Sequence, residues 1–104
     1  MPRQFDIVEN SNQSTRDLYP FLLILQHDLV TSIQSVIVAP LVRADRAPTT
    51  SRLHPSLDVA GSRYTVLTED LAPLPRNRLG RTVGSAESRY YDIVAALDLL
   101  FTGV

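Results

Sequence analysis

The sequence contains no cysteine, no lysine and no long apolar run. Without cysteine, disulfide bonds, a thiolate nucleophile and cysteine-based metal sites are excluded. All ten basic side chains are arginine, which reflects either a biased genome or selection for bidentate pairing with carboxylates. The longest apolar stretches, residues 21–25 and 36–42, fall far short of the roughly 20 residues that span a bilayer. We therefore expect no association with membranes.

The charges of the chain nearly balance. Its formal net charge is −1 and its isoelectric point is about 6.0, so no overall field attracts nucleic acid or an anionic membrane. We expect no direct nucleic-acid binding by this protein alone. The first residues also lack the basic-then-apolar order of a signal peptide, which predicts a cytoplasmic protein.

A chain of 104 residues, 44% apolar and 20% charged, has the composition of one globular domain, which we assign to residues 1–104. Short apolar or alternating runs bounded by polar residues predict strands at 4–9, 21–25, 36–42, 57–59 and 63–68. Pro40 cannot donate to a ladder, so it predicts a sheet edge or a bulge. Pro73 and Pro75 predict a segment without regular structure.

The clearest predicted element is a C-terminal helix of about 16 residues with one broad apolar face. Ser85 is suited to cap its start, and Gly103 to end it. The apolar face is expected to contain Tyr90, Ile93, Val94, Leu97, Leu100 and Phe101. The predicted fold class is therefore α+β, mostly β, with one helix after the strands.

The two longest predicted strands are apolar almost without interruption. Such strands indicate that both faces of part of the sheet are covered. Because one helix covers only so much of a sheet, a hydrophobic interface with a second copy is a natural way to cover the rest. Symmetric dimers are the commonest arrangement, so we expect a homodimer.

Few residues carry reactive chemistry. His27 and Asp28 fit a polar pair at a strand end better than half of a metal site, since no further ligands stand at suitable spacing. His54 is expected to be a solvated loop residue, and no base is evidently placed to activate a serine. The adjacent carboxylates of Glu69 and Asp70 would point to opposite faces of a strand. We expect no catalytic residue, no metal, no cofactor and hence no enzyme.

The order of features over almost the whole chain resembles the CcdB family of bacterial toxins. Residues 38–41, Val-Ala-Pro-Leu, resemble the end of a family strand with Ile-Pro-Leu, and residues 53–55, Leu-His-Pro, fall where the family has Leu-Tyr-Pro. Residues 68–72, Thr-Glu-Asp-Leu-Ala, match its Thr-Thr-Asp-Met-Ala. From Leu79 the family pattern continues without a gap to Val104.

This resemblance implies a strongly bent antiparallel sheet that forms a small, partly open barrel with one long C-terminal helix, the plasmid maintenance toxin/cell growth inhibitor-like fold. It also implies a symmetric homodimer and a role as the toxin of a toxin–antitoxin pair in plasmid maintenance. Toxins of this family bind the A subunit of DNA gyrase, trap the gyrase–DNA cleavage complex and so inhibit the topoisomerase. A cognate CcdA-like antitoxin neutralises them.

The family's gyrase-contacting tripeptide, Trp-Gly-Ile, carries over onto Thr102, Gly103 and Val104. Thr102 stands where the family has tryptophan, a typical interface anchor whose loss could cost ~3–5 kcal/mol of contact. The alternative is therefore a binding module of the same fold that binds antitoxin but poisons gyrase weakly or not at all. An enzyme such as a nuclease would need a reactive site that the sequence does not display.

An acidic, disordered antitoxin arm would favour basic, polar surfaces. The polar loops at residues 10–16 and 43–50 and one arginine cluster offer such surfaces, although the arginines of the cluster also fit a solvated edge that blocks strand addition. The candidate antitoxin-binding residues are Arg16, Arg43, Arg46, Arg76, Arg78 and Arg81.

Overall fold

A computed structural model describes residues 2–28, 30, 34–48 and 51–104. Within these ranges seven strands form one antiparallel sheet, and a helix follows them. The elements are β1 (Asp6–Asn10), β2 (Phe21–Ile24), β3 (Ser35–Arg43), β4 (Ser56–Val59), β5 (Ser62–Val66), β6 (Ala72–Pro75), β7 (Leu79–Ser85) and α1 (Tyr90–Thr102). Short 3-10 turns occupy Ala44–Arg46, Thr68–Asp70, Arg76–Arg78 and Glu87–Arg89.

The strands lie in the order β4-β5-β3-β2-β1-β7, and β6 pairs with β3 beside β5. The first and last strands of this order come close together, because Leu57 and Asp58 of β4 line the same small cleft as Ser85 of β7. The sheet is therefore curled into a half-barrel. This confirms the predicted fold class and the bent sheet that the resemblance implied.

Both faces of the sheet are buried, as the long apolar runs predicted. Neighbouring residues such as Ile7 and Val8 point to opposite faces. The larger core joins strand residues to Ile93 of α1 and includes Ile7, Leu23, Ala39, Leu41 and Val66. The second core holds Val8, Leu22, Ile24, Val36 and Val38 under Leu74 and Leu79. The chain itself thus covers both faces, and the homodimer stays a prediction.

Pro40 lies in an interior strand, so the prediction of an edge or a bulge was wrong. On one side β3 pairs with β2, where Pro40 faces Leu22. On the other side its partner changes from β6, which ends at the pair Val38 and Ala72, to β5, which begins at the pair Leu41 and Val66. Pro40 occupies this junction. Its pair with Leu22 is one that carries no ladder hydrogen bonds, because residues 25 and 37 form a bonded pair, and its carbonyl accepts from the amide of Leu67 just after β5 at 3.0 Å.

Residues 72–75 form strand β6, although two prolines predicted an irregular segment. The amide of Arg76 donates to the carbonyl of Gln34 at 2.9 Å, so alternate pairs of the ladder, including Leu74 with Val36, carry its hydrogen bonds. Pro73 and Pro75 fall between these pairs, and their nitrogens face away from β3. An edge strand tolerates proline at such positions.

Two local backbone features fix the shape of the sheet. Ala60 and Gly61, with φ of 52° and 83°, form the tight turn of the predicted β4–β5 hairpin. Gly80 lies in β7 beside β1, where a Cβ atom would come within 2.4 Å of the carbonyl oxygen of Glu9. A larger residue at position 80 would push the two strands apart.

The predicted helix is confirmed but begins later, at Tyr90. The hydroxyl of Ser85 accepts a hydrogen bond from the amide of Glu87 at the start of the preceding 3-10 turn, so it does not cap α1 as predicted. Ile93 and Ala96 are the buried residues of the helix. Phe101 is 68% exposed, so its predicted place on the buried face was wrong. No helix in the described ranges is both long and apolar enough to cross a membrane.

Candidate functional site

The last residues of α1 project from the body of the protein. Gly103 ends the helix in a left-handed conformation, φ 78°, and its amide donates to the carbonyl of Leu99 at 3.0 Å. Val104 is 82% exposed and Phe101 is 68% exposed. Because a left-handed residue strains side chains other than glycine, Gly103 suits this exit from the helix. We call Phe101 to Val104 the helix tip.

Thr102 lies on the helix tip but offers little to a partner. Its hydroxyl donates to the carbonyl of Asp98 at 2.7 Å, so the side chain is turned back onto its own helix. The hydrogen of the Thr102 hydroxyl is therefore already used within the helix and is not available to a partner. The three predicted gyrase-contacting residues are therefore brought together and exposed, and Phe101 supplies the aromatic surface nearest to them.

Packing contacts at two places along α1 hold the helix in position. Ile93 and Ala96 are buried in the larger core, with Val94 and Leu97 packed against it. At the other end of the helix, the ring of Tyr90 packs edge-on against Phe5, with the ring centres 5.5 Å apart. The helix tip is thus presented on a fixed support.

The predicted antitoxin-binding arginines fall into three groups. Arg16, Arg78 and Arg81 lie together near the start of β7. Arg81 pairs with Glu9 at 3.3 Å, the carbonyl of Arg78 accepts from the hydroxyl of Ser11 at 2.7 Å, and Arg16 lines a cleft with Glu9 and Gly80. This group flanks a cleft of about 440 Å³ whose apolar part is Pro20 and Phe21.

The other three arginines lie elsewhere. Arg43 ends β3 and pairs with Asp45 at 3.6 Å, and Arg46 is exposed on the adjoining 3-10 turn. Arg76 lies beside the opposite end of β3, where its guanidinium donates to the carbonyl of Val30 at 3.1 Å. The structure therefore does not gather the six arginines into one surface. Residues 49 and 50 of the predicted 43–50 loop lie outside the described residues.

His54 is buried, so its prediction as a solvated loop residue was wrong. Its Nε2 atom lies 2.8 Å from both carboxylate oxygens of Glu69, and its Nδ1 atom lies 3.4 Å from the hydroxyl of Ser51. The sequence offered no signal for this arrangement, because Glu69 is distant along the chain and the serine precedes a turn. A base does therefore stand near a serine.

The carboxyl group of Glu69 is held in its charged form. Partial burial raises its pKa, but the hydrogen bonds from His54 and from a backbone amide, with the charge of His54, lower it more. The net pKa lies below the ordinary 4.5. Both ring nitrogens of His54 are engaged, and the side chain has little access to solvent, so the arrangement fits a structural clamp between two loops.

Among the described residues, no three histidine, cysteine or acidic side chains are grouped closely enough to hold a metal ion. Asp28, part of the pair considered for such a site, instead accepts hydrogen bonds from the guanidinium of Arg3 and the amide of Gln4. These bonds, with the ion pair to Arg3, hold the loop after β2 against the N-terminal residues.

Comparison with known proteins identifies one family and several solved structures. The family described as CcdB protein matches residues 4–103. No curated protein matches the chain significantly in sequence. The Mycobacterium tuberculosis toxin MazF-mt6 superposes with a TM-score of 0.74 at 20% identity, over 92% of this chain and 95% of its own.

Two further structures show the same likeness. An Mtb toxin superposes with a TM-score of 0.72 at 19% identity, over 91% of this chain and 99% of its own. An endoribonuclease from a mycobacterial species, in complex with its cognate antitoxin, has a TM-score of 0.73 at 15% identity, over 94% of this chain and 92% of its own. At these identities the likeness is one of fold.

Proposed function

The chain belongs to the CcdB family of toxins from toxin–antitoxin pairs, and from this premise we propose that it binds the A subunit of DNA gyrase through its helix tip. In this proposal it traps the complex of gyrase with cleaved DNA and so inhibits the topoisomerase. A gyrase poison meets its target in the cytoplasm, which is where we place the protein. Maintenance of a plasmid is the role that the family suggests.

The exposed apolar surface of the helix tip is the observation that carries this proposal. Phe101 and Val104 present their side chains to solvent from a helix whose opposite face is anchored in the core. Scattered exposed apolar residues are ordinary, but two close together on one projecting end favour an interaction site. The two tip residues would contribute apolar contacts at the centre of the interface.

Thr102 supports a second candidate function. The family's tryptophan is absent, and the hydroxyl that replaces it bonds to its own helix. A protein of this kind would keep the fold and the antitoxin but poison gyrase weakly or not at all. Binding of an isolated gyrase A fragment distinguishes the two candidates, because only the first requires it.

We propose action by binding and not by catalysis. The serine, histidine and glutamate found together are arranged with the ring buried and both of its nitrogens engaged. The endoribonuclease activity of the similar mycobacterial structure is not carried over to this chain, because a likeness at 15% identity shows only the fold. An assay with single-stranded RNA tests this, and cleavage lost on His54→Ala would contradict it.

The proposed partners are a second copy of this chain, the gyrase A subunit and a CcdA-like antitoxin. The exposed aromatic ring of Tyr91 leaves apolar surface on α1 for the second copy. Sedimentation measurements across a range of protein concentrations test the homodimer. A monomer at every concentration would contradict it.

Expression in a cell that carries its own gyrase tests the proposed target. We expect arrested growth and an accumulation of broken DNA. Val104→Asp, which places a charge on the tip without touching the core, should relieve both effects while the circular dichroism spectrum stays the same. Normal growth in the presence of the folded parent protein would contradict the proposal.

A further inference from the structure

One edge of the sheet is open. β4 stands first in the strand order and pairs with β5 on one side only. The amide of Val66 donates to the carbonyl of Pro55 at 2.9 Å, which makes residues 55 and 66 a hydrogen-bonded pair. Since such pairs alternate along an antiparallel ladder, Leu57 and Val59 also bond to β5.

Ser56 and Asp58 fall between those pairs. Their backbone amide and carbonyl groups therefore point away from β5, toward the outer edge. Within the described ranges no other backbone group bonds to them. The side chains that alternate with them, Leu57 and Val59, are buried in the core, so the edge is held rigidly in an extended form. It offers two donors and two acceptors to an added strand.

A groove runs beside this edge. One part of it, about 100 Å³, lies between Leu57 and Asp58 of β4 and the segment 85–89. The other part, about 280 Å³, lies between residues 51–56 and the start of α1, where Asp92 and Ala95 form the wall. Arg89 lines both parts, so the two clefts adjoin. A groove along an open strand edge fits an extended peptide.

One positive charge in the groove is not cancelled by an ion pair in the described part of the chain. Arg52 lines its wider part and forms no ion pair among the described residues. Arg89 pairs with Asp92 at 2.8 Å, but its side chain remains 41% exposed. Asp58 is likewise neutralised by Arg63 at 3.3 Å. With these pairs cancelled, the charge of Arg52 remains, which favours an acidic partner.

We propose that the outer edge of β4 and this groove bind an extended acidic segment of the antitoxin, which adds to the sheet as a strand. The identity of the partner rests on the proposed function, whereas the site rests on the ladder and the groove. Backbone hydrogen bonds to Ser56 and Asp58 would hold the segment, and its acidic side chains would meet Arg52.

Synthetic peptides test the site without the natural antitoxin. The probes are two decapeptides, one alternating Asp and Val and the other alternating Lys and Val, titrated into the ¹⁵N-labelled protein. We expect the acidic peptide to bind at least roughly tenfold more tightly and to shift the amide signals of Ser56 and Asp58. Equal binding of the two peptides, or shifts confined to other strands, would overturn the proposal.

Proline variants separate the edge from the rest of the surface. Ser56→Pro and Asp58→Pro each remove an outward N–H group and leave the β4–β5 ladder intact. Each should weaken binding of the acidic peptide roughly fivefold, whereas Asp58→Asn, which keeps the amide, should not weaken it. Arg52→Glu should weaken binding, and Arg3→Glu, which lies outside the groove, should not. If both proline variants bind the acidic peptide as tightly as the parent protein does, the proposal is contradicted.

One further measurement and one alternative outcome complete these experiments. If the proline variants fail to fold, hydrogen exchange on the parent protein replaces them, and unprotected amides at Ser56 and Asp58 with the peptide bound would count against the proposal. Loss of a dimer on Ser56→Pro, without peptide binding by the parent, would assign the edge to a second copy and overturn it. Growth arrest should survive Ser56→Pro, so failure of this site and failure of the gyrase proposal are distinguishable.

Discussion

The Nε2 atom of His54 lies 2.8 Å from both carboxylate oxygens of Glu69. Since a carboxylate only accepts hydrogen bonds, Nε2 carries the hydrogen. The contact joins the loop before β4 to the turn after β5. In the resemblance to the CcdB family, tyrosine and threonine stand at these two positions, so this hydrogen bond is a feature of this chain rather than of the family pattern.

Removing the carboxylate should destabilise the fold. Glu69→Ala leaves the Nε2 atom of His54 buried without an acceptor, and we expect the free energy of unfolding to fall by about 1–2 kcal/mol. Urea denaturation followed by circular dichroism measures this change. Asp70→Ala is the matched control, since the adjacent carboxylate is exposed and a change within about 0.5 kcal/mol is expected there. Equal effects of the two variants would contradict the role of the pair.

The same pair predicts a dependence on pH. Because the pKa of Glu69 in the folded protein lies below its ordinary value of 4.5, its contribution to stability is complete above about pH 4.5. The contribution is lost as the pH falls through the folded-state pKa. The difference in unfolding free energy between the parent protein and Glu69→Ala should therefore shrink below pH 4.5, measured by urea titration from pH 7 to pH 3. A constant difference would contradict this.

Gly80 should be far more sensitive than Gly84, although both lie in β7. A Cβ atom at position 80 would meet the carbonyl oxygen of Glu9 at 2.4 Å, whereas one at position 84 would meet only the side chain of Ile7 at 3.9 Å. We expect Gly80→Ala to cost about 1–3 kcal/mol of unfolding free energy. Gly84→Ala should change it by less than about 0.5 kcal/mol. Thermal unfolding of both variants would compare them directly.

Thr102→Trp should create or strengthen binding to a gyrase A fragment. An exposed tryptophan at the helix tip supplies the large apolar anchor that the present hydroxyl lacks, and roughly tenfold tighter binding is a conservative expectation. Isothermal titration calorimetry measures it. Thr102→Val, which removes the hydroxyl without adding an aromatic ring, is the control. Binding to the antitoxin should be unchanged, and equal gyrase affinity of all three proteins would contradict the prediction.

The predictable part of the structure is the part that local pattern controls. The β4–β5 hairpin, the apolar strands and the stop at Gly103 each follow from a few neighbouring residues. The predictions for Pro40 and Pro73 were wrong because a strand tolerates proline wherever the neighbouring strand requires no N–H group. That depends on which strands pair. The register of the sheet therefore decides where a strand can contain proline.

The candidate site was predictable to the same extent. Exposure of Thr102 to Val104 followed from their place at the helix end, but the inward turn of the Thr102 hydroxyl did not. The hydrogen bond between His54 and Glu69 could not be predicted, because it joins two loops that meet only after β4 and β5 have folded. The separation of the six candidate arginines could not be predicted either, because it depends on which strands and loops lie side by side in the fold.

The exchange of partners along β3 has a consequence for the order of folding. β4 and β5 form a local hairpin with a tight turn, whereas β6 must return to β3 past that hairpin. Closing a longer loop costs more chain entropy, so we expect β6 to dock after β5. Because Leu74 and Leu79 cover the second core, that core closes last and opens first. The amides of β6 should then exchange with solvent sooner than those of β2.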